Sequence, residues 1–330
     1  MGLVLPQKVA NLVLYKILHR PLAPVQTGKK NWLTTSMLPF SIITPSYNQG
    51  QYLEQTITSV LSQNYPNLEY IIIDGGSTDE SLGIIKKYQQ HLKYWVSEKD
   101  NGQASAINKG LQHCTGEIFN WLNSDDYLQP GALQKISEAF IDKEVDLVAG
   151  KVNNFSADKN EVIANQKLSA KGLMCWNKDV QFVQPGMWMR KQNFIACGGL
   201  NEQFNYAFDW DMMIRYLLFF PSVKYLDNVL VNFRLHDASK TVAAPDKFLI
   251  EEELIIEALY ANPDYKKMHP VCKYKIERAA WTKFLITNTN ASGQSKPEKV
   301  FNILSHLNDQ PVDVKVMRMT MGAIKKIILG

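Results

Sequence analysis

Cysteine is scarce and dispersed in this chain. Cys114, Cys175, Cys197 and Cys272 lie far apart with no C-x-x-C pair, which excludes a disulfide-built scaffold and gives no sign of a zinc site. Charge of one sign is also lacking. Thirty-six Lys and Arg against 32 Asp and Glu leave a net charge of +4, and no basic block is longer than a pair. Duplex nucleic acid is therefore not expected as a partner. No apolar run reaches the roughly 18 residues a membrane-spanning helix needs, and Tyr216–Phe220 stops at Pro221. The first residues show no charged head, long apolar core and small-residue cleavage site, so a cytoplasmic location is expected. Neither G-x-x-x-x-G-K-[ST] nor G-x-G-x-x-G occurs, so the two common phosphate loops are absent.

What is present is an alternation of short apolar strands and helical segments. Val9, Val13 and Ile17, with Ala10, Leu14 and Leu18, recur at helical spacing in a leader over residues 1–38. Strands are then expected at Phe40–Thr44, Glu69–Ile73, Tyr94–Val96 and Ile118–Leu122. Helices are expected near Gln51–Gln63, Ser81–His91 and Ala104–Cys114. This βαβ order argues for a parallel sheet with function gathered beyond the carboxyl ends of its strands. A further strand is read at Val145–Gly150, strand and loop material at 151–180, a helix start at Phe208–Arg215 and a strand at Val229–Leu235. A polar loop near 291–297 precedes a basic, apolar tail over 314–330.

The most informative stretch is Trp121-Leu122-Asn123-Ser124-Asp125-Asp126-Tyr127, an apolar strand that ends in two adjacent carboxylates. Neighbouring like charges raise each other's pKa, and along a regular strand they point to opposite faces. Both serve one site only if the strand ends and turns there, and Gln129-Pro130-Gly131 supplies a turn. The oxygen-rich site that results suits Mg²⁺ or Mn²⁺ shared with phosphate oxygens. An acidic loop capping the helix that starts near Ala132 is the competing explanation.

Several clusters in order, Ser41–Asn48, Ile73–Asp79, Gly102-Gln103 through Asn108-Lys109-Gly110, Gly116-Glu117 and Asn123–Asp126, together resemble glycosyltransferase family 2. So do Gly198-Gly199-Leu200, Phe208–Asp211 and Phe233–His236. The resemblance implies a GT-A fold, a Rossmann-like, mostly parallel sheet flanked by helices, with a divalent cation and inversion at the anomeric carbon. It implies nucleotide-sugar contacts from Pro45, Ser46, Tyr47, Asn48, Asp74, Asp100, Gly102, Gln103, Asn123 and Asp125. Asp125 and Asp126 correspond to the family's D-x-D region, although Asn123 stands where an aspartate is common. His236 corresponds to a metal- or pyrophosphate-binding histidine, so the expected metal ligands are Asp125, Asp126 and His236.

By the same resemblance Asp209 is the general base that takes the acceptor's proton. On the residues alone its competing role is a helix N-cap, with Asp211 favourable to the helix dipole. Gln184, Trp188, Trp210 and Asp211 are expected on the acceptor side, with core packing as the competing role for both tryptophans. The expected organisation is a leader over 1–38, a catalytic domain over 39–240 and a helical extension over 241–330. Within the catalytic domain, 39–150 takes the nucleotide sugar and 151–240 supplies the acceptor side and the base.

The expected activity is transfer of a sugar from a nucleoside-diphosphate sugar, UDP-linked, to a hydroxyl of a glycan or lipid-linked acceptor in cell-surface polysaccharide synthesis. A nucleotidyltransferase or a noncatalytic nucleotide-sugar-binding module would place similar demands on the cleft, and both stay open here. Basic residues beside apolar ones at both termini, Lys8, Lys16 and Arg20, then Lys315, Arg318, Lys325 and Lys326, fit peripheral contact with an anionic membrane on its inner face. Packing of both helices on the catalytic domain is the alternative.

Overall fold

The structure is a computed structural model that describes residues 37–236, 239–240, 244–307 and 313–329. The leader helix expected within 1–38 lies outside the described residues. Two compact units divide at Phe248/Leu249.

The first unit is built on one mixed sheet. Strand β1 (Phe40–Ser46) is followed by α1 (Gly50–Leu61), β2 (Leu68–Asp74), α2 (Ser81–Tyr88, with a 3-10 turn to His91), β3 (Tyr94–Ser97), α3 (Gln103–Leu111) and β4 (Ile118–Trp121). β3, β2, β1 and β4 lie side by side and parallel, as the alternating pattern predicts. β1 is buried over its whole length, the mark of a central strand covered on both faces. Phe40 and Ile42 join Leu53, Ile57 and Val60 of α1 in the main core. Gly116 lets β4 start close to β1: a Cβ there would lie 2.5 Å from the Phe40 carbonyl carbon, so only glycine fits.

The sheet continues through β5 (Tyr127–Leu128), α4 (Ala132–Ala139), β6 (Leu147–Phe155), β7 (Asn160–Ala164), α5 (Ala170–Cys175), β8 (Met187–Arg190), α6 (Lys191–Ala196), α7 (Phe208–Phe219) and β9 (Val223–Arg234). The full strand order is β3-β2-β1-β4-β8-β6-β9-β5, with β7 on β6. β8 is antiparallel to both β4 and β6, and β6 is parallel to β9. Two reversals restore the direction, so β9 ends on the same edge as β1, β2 and β4. β9 begins six residues before the expected Val229, because Val223–Tyr225 pair with Leu147–Ala149 ahead of a register shift.

The second unit comprises the part of α8 (Pro245–Ala261) from Leu249 onward, α9 (His269–Asn290), α10 (Lys296–Ser305) and α11 (Val314–Leu329). Trp281, Leu285, Ile303, Val316 and Ile327 form its own small core. The Trp281 indole donates to Thr320 Oγ1 at 3.0 Å, so the buried ring keeps its polar atom satisfied. A capping box, Ser295 with Glu298, starts α10. Among the described residues no helix is long and apolar enough to cross a membrane.

Candidate functional site

Loops from the carboxyl ends of β1, β2 and β4 meet the end of β9. Asp74 closes β2 and is fully buried. Its carboxylate accepts from Ser77 Oγ (2.5 Å), Ser97 Oγ (2.7 Å), and the Ser77 and Gly76 amides. Through both oxygens Asp74 thus organises its own loop. The β1 loop is tied to it: the Asn48 amide donates to Ser77 Oγ (2.8 Å), and Asn48 Oδ1 accepts from the Thr78 amide (2.9 Å). Pro45 and Ser46 are buried and Tyr47 is 62% exposed, which leaves Tyr47 as the accessible aromatic beside the loop.

Asp100 Oδ1 accepts from the Gly102 amide at 2.8 Å. Gly102 has φ +107 and ψ −179 where it leads into α3, a conformation confined essentially to glycine. Gln103, the first residue of α3, donates to Asn123 Oδ1 (2.7 Å) and accepts from Lys240 Nζ (3.1 Å). Asn123 Nδ2 in turn donates to Asp126 Oδ2 (3.3 Å). Asn123, found where an aspartate is common, is thus a relay between the α3 start and the acidic pair.

The two adjacent acids take different surroundings. Asp126 is fully buried, and its Oδ1 accepts the backbone N–H of Arg234 at 3.0 Å. Burial, with the Asp125 charge beside it, pushes the Asp126 carboxyl well above the ordinary carboxylate range. Asp125 lies toward the cleft: its Oδ2 stands 3.0 Å from His236 Nε2, with both side chains partly exposed. Of the two candidate cation ligands, only Asp125 has its carboxylate beside the histidine.

Three further residues hold this pair in place: Thr56 and Lys240, which the sequence does not mark, and Arg234, which lies in the Phe233–His236 cluster. Thr56 Oγ1 on α1 reaches the Ser124 and Asp126 carbonyls at 2.9 and 2.6 Å. The Arg234 guanidinium donates to the Asp125 carbonyl (3.1 Å) and Gln55 Oε1 (2.6 Å). It lies 4.6 Å from the ring centres of both Tyr52 and Phe155. Lys240 bridges Gln103 and the Asn205 carbonyl. Their contacts, made from α1, from the end of β9 and from beyond it, become known only after folding.

A divalent cation fits this arrangement in one way. Asp125 and His236 supply an oxygen and a nitrogen side by side, the mixed donor set Mn²⁺ accepts, and phosphate oxygens with water would complete its shell. Among the described residues no group of three or more His, Cys, Asp or Glu is arranged to hold a metal alone.

On the α7 side, Asp209 sits half-buried in the first turn, with Oδ1 accepting the Trp210 amide at 2.8 Å. The residue at the N-cap is Ala207, so capping is not what places Asp209. The four residues expected on the acceptor side are all buried. Gln184 donates to Asn120 Oδ1 and the Trp121 carbonyl. Trp188 packs edge-on against Phe40 in the core. Asp211 pairs with Arg215 at 2.6 Å, and that guanidinium also binds the Cys197 and Gly199 carbonyls. Asp211 therefore fixes the Gly198-Gly199 turn, and Gln184, Trp188 and Asp211, expected on the acceptor side, are all engaged inside the protein. Trp210 is covered too, by the parallel ring of Trp176 at 5.9 Å. Trp176 itself is 48% exposed and held at φ +46, a rare backbone region for a bulky residue.

Residues 41–199 match the profile of glycosyl transferase family 2. An uncharacterized glycosyltransferase of Rickettsia typhi is 28% identical over 217 residues, 62% of this chain and 66% of that protein. Chondroitin synthase of Escherichia coli is 27% identical over 218 residues, 62% of this chain and 30% of that protein. The chain thus spans just under two thirds of the first relative and under a third of the second. Among solved structures, Staphylococcus aureus TarS 1–349 in complex with UDP-GlcNAc superposes with a TM-score of 0.59 at 17% identity, over 88% of each chain. That likeness is one of fold, and it is the GT-A type fold expected from the sequence. With the strand-end clusters and the matched profile together, residues 41–199 belong to glycosyl transferase family 2.

Proposed function

We propose that this protein transfers a sugar, with inversion, from a uridine-diphosphate sugar to a hydroxyl of a glycan or lipid-linked acceptor in cell-surface polysaccharide synthesis. The observation that carries the reading is the Asp125 and His236 pair, 3.0 Å apart, at the shared edge where β4 and β9 end. In this reading the nucleotide lies along the β1 and β2 loops with Tyr47 against the base, and Asp100 and Gln103 bound the cleft. The complex of TarS with UDP-GlcNAc supports a uridine nucleotide. The relation to chondroitin synthase supports a polysaccharide product.

Asp209 accepts the proton of the acceptor hydroxyl as that oxygen forms a bond to the anomeric carbon. The bond from that carbon to the diphosphate oxygen breaks, and its electron pair leaves with the nucleoside diphosphate. A divalent cation held by Asp125 and His236 would stabilise the charge that gathers on the leaving diphosphate. Asp126 and Arg234 keep Asp125 in place, and Lys240 holds Gln103 against Asn123. Trp176, rather than the covered Trp210, offers an aromatic face to an acceptor sugar ring.

A thermal-shift panel of nucleotide sugars with and without Mn²⁺, followed by product analysis, tests the reading. Release of nucleoside diphosphate with a glycosylated product is expected. Release of pyrophosphate would identify nucleotidyl transfer instead, and ligand binding without turnover would identify a binding module.

A further inference from the structure

Helix α11 (Val314–Leu329) carries apolar side chains on two faces, and only one of them is used inside its own unit. Val316, Thr320 and Ile327 are buried and face the Trp281 core. Met317, Met321 and Ile328, with Val314 and Leu329 at the ends, are exposed. The spacing of Met317, Met321, Ile324 and Ile328 is i, i+4, i+7, i+11, which draws one straight stripe along a helix. Ile324 borders both faces, since it is partly buried against the core.

Charge accompanies this stripe with one sign only. Lys315, Arg318, Lys325 and Lys326 are exposed, and no Asp or Glu occurs between residues 314 and 329. At about 100° per residue, Arg318 and Lys325 fall directly beside the stripe, where long side chains can extend their charges to a polar boundary while their stems stay in apolar surroundings. At about 1.5 Å per residue the helix is about 24 Å long, enough to lie along a bilayer surface and too short and too charged to cross one. An exposed methionine and isoleucine row edged by cations alone is complementary to a surface that is apolar beneath and anionic above.

We propose that the exposed face of α11 is a docking surface for an anionic phospholipid bilayer. The stripe of Met317, Met321 and Ile328 enters the acyl boundary while Arg318 and Lys325 meet the headgroup phosphates. This inference goes beyond the catalytic reading and stands on different residues. It would place the enzyme on the surface where a lipid-linked acceptor resides.

Cosedimentation of the full chain with two kinds of vesicle tests it: phosphatidylcholine alone, and phosphatidylcholine with about one third phosphatidylglycerol. The chain is expected to pellet with the anionic vesicles at about 50 mM salt and to be released by about 0.5 M salt. The pair Met317→Asp and Met321→Asp is expected to abolish pelleting. The pair Arg318→Glu and Lys325→Glu is expected to weaken it by at least about tenfold. These positions are exposed, so melting temperature and UDP-induced stabilisation are expected to match wild type. If the aspartate pair melts early, the pair Met317→Ser and Met321→Ser is read in its place. Wild-type chain that pellets with neither vesicle, or apolar-stripe variants that pellet like wild type, would overturn the proposal. So would a stripe occupied by a second copy, seen as a dimer in light scattering that the stripe variants dissociate without any vesicle binding.

Discussion

The Asp126 carboxylate accepts the backbone N–H of Arg234 across 108 residues of sequence, at 3.0 Å, while its neighbour Asp125 faces His236. Two identical adjacent side chains thus receive opposite tasks: one closes a buried strand-to-loop contact and the other is left for the cleft. Asp125→Ala is expected to remove Mn²⁺-dependent UDP binding and most turnover while leaving the melting temperature nearly unchanged. Asp126→Ala leaves the buried Arg234 amide without its acceptor and is expected to cost on the order of 1–3 kcal/mol of stability. Denaturant melts beside calorimetry of UDP with Mn²⁺ check both, and equal effects of the two substitutions would remove the division.

Arg234 acts on Asp125 through its main chain, so its expected effect is one of positioning. Arg234→Lys keeps a cation near Tyr52 and Phe155 but loses the planar fork that reaches both the Asp125 carbonyl and Gln55. A weaker Mn²⁺ dependence of UDP binding is expected, with little change in UDP binding measured without metal. Titration of Mn²⁺ at fixed UDP reads the difference. A change confined to melting temperature would make Arg234 structural only.

Asp209→Asn keeps the shape of the side chain and its carbonyl acceptor for the Trp210 amide, but it cannot take a proton at neutral pH. Turnover is expected to fall by about 10²- to 10⁴-fold with UDP affinity preserved. Steady-state rates beside calorimetry test this, and a normal rate in the variant would remove Asp209 from the reaction.

Trp176→Ala is expected to raise KM for the acceptor several-fold while KM for the donor holds, because the lost surface lies on the acceptor side of the reading. Trp176→Phe should recover part of the loss, since a smaller aromatic face remains. Equal donor and acceptor effects would point to a change in α7 packing instead.

Glu69 gives a pH dependence with a definite sign. Burial favours its neutral form, but hydrogen bonds from Thr115 and Ser41, with Lys93 nearby, outweigh this and hold the carboxyl at about 2. A folded-state pKa below the unfolded value means that the stabilisation is present above the unfolded value, about 4.3, and is lost as pH falls toward about 2. Glu69→Gln is expected to melt below wild type at pH 7. The gap should narrow as pH falls from about 4, and a gap independent of pH would mean that the charge of Glu69 does not contribute.

Some of this was legible before folding because it is local. The strands and helices from Phe40 to Trp121 announce themselves through apolar period and glycine placement, and Gly116 is required by a backbone contact that glycine alone permits. The strand-end clusters are also contiguous in sequence, so Asn123, Asp125 and the Asp74 loop could be found by inspection. Burial of Gln184, Trp188, Trp210 and Asp211 could not. Polar and aromatic side chains serve a cleft or a core equally well until a neighbour, such as Arg215 for Asp211 or Trp176 for Trp210, decides between them.

The sequence by itself determined the alternating architecture of the first unit, the family to which residues 41–199 belong, and the small set of acids from which a site could be drawn. Tertiary structure alone decided which carboxylate faces the cleft. It also decided that Thr56, Arg234 and Lys240 serve Asp125 and its loop, and that α11 has one face in a core and one outside it. The physical reason is range: backbone propensity and apolar period act over a few residues, whereas the burial of Asp126 and its hydrogen bond with the Arg234 amide depend on chain far away in sequence.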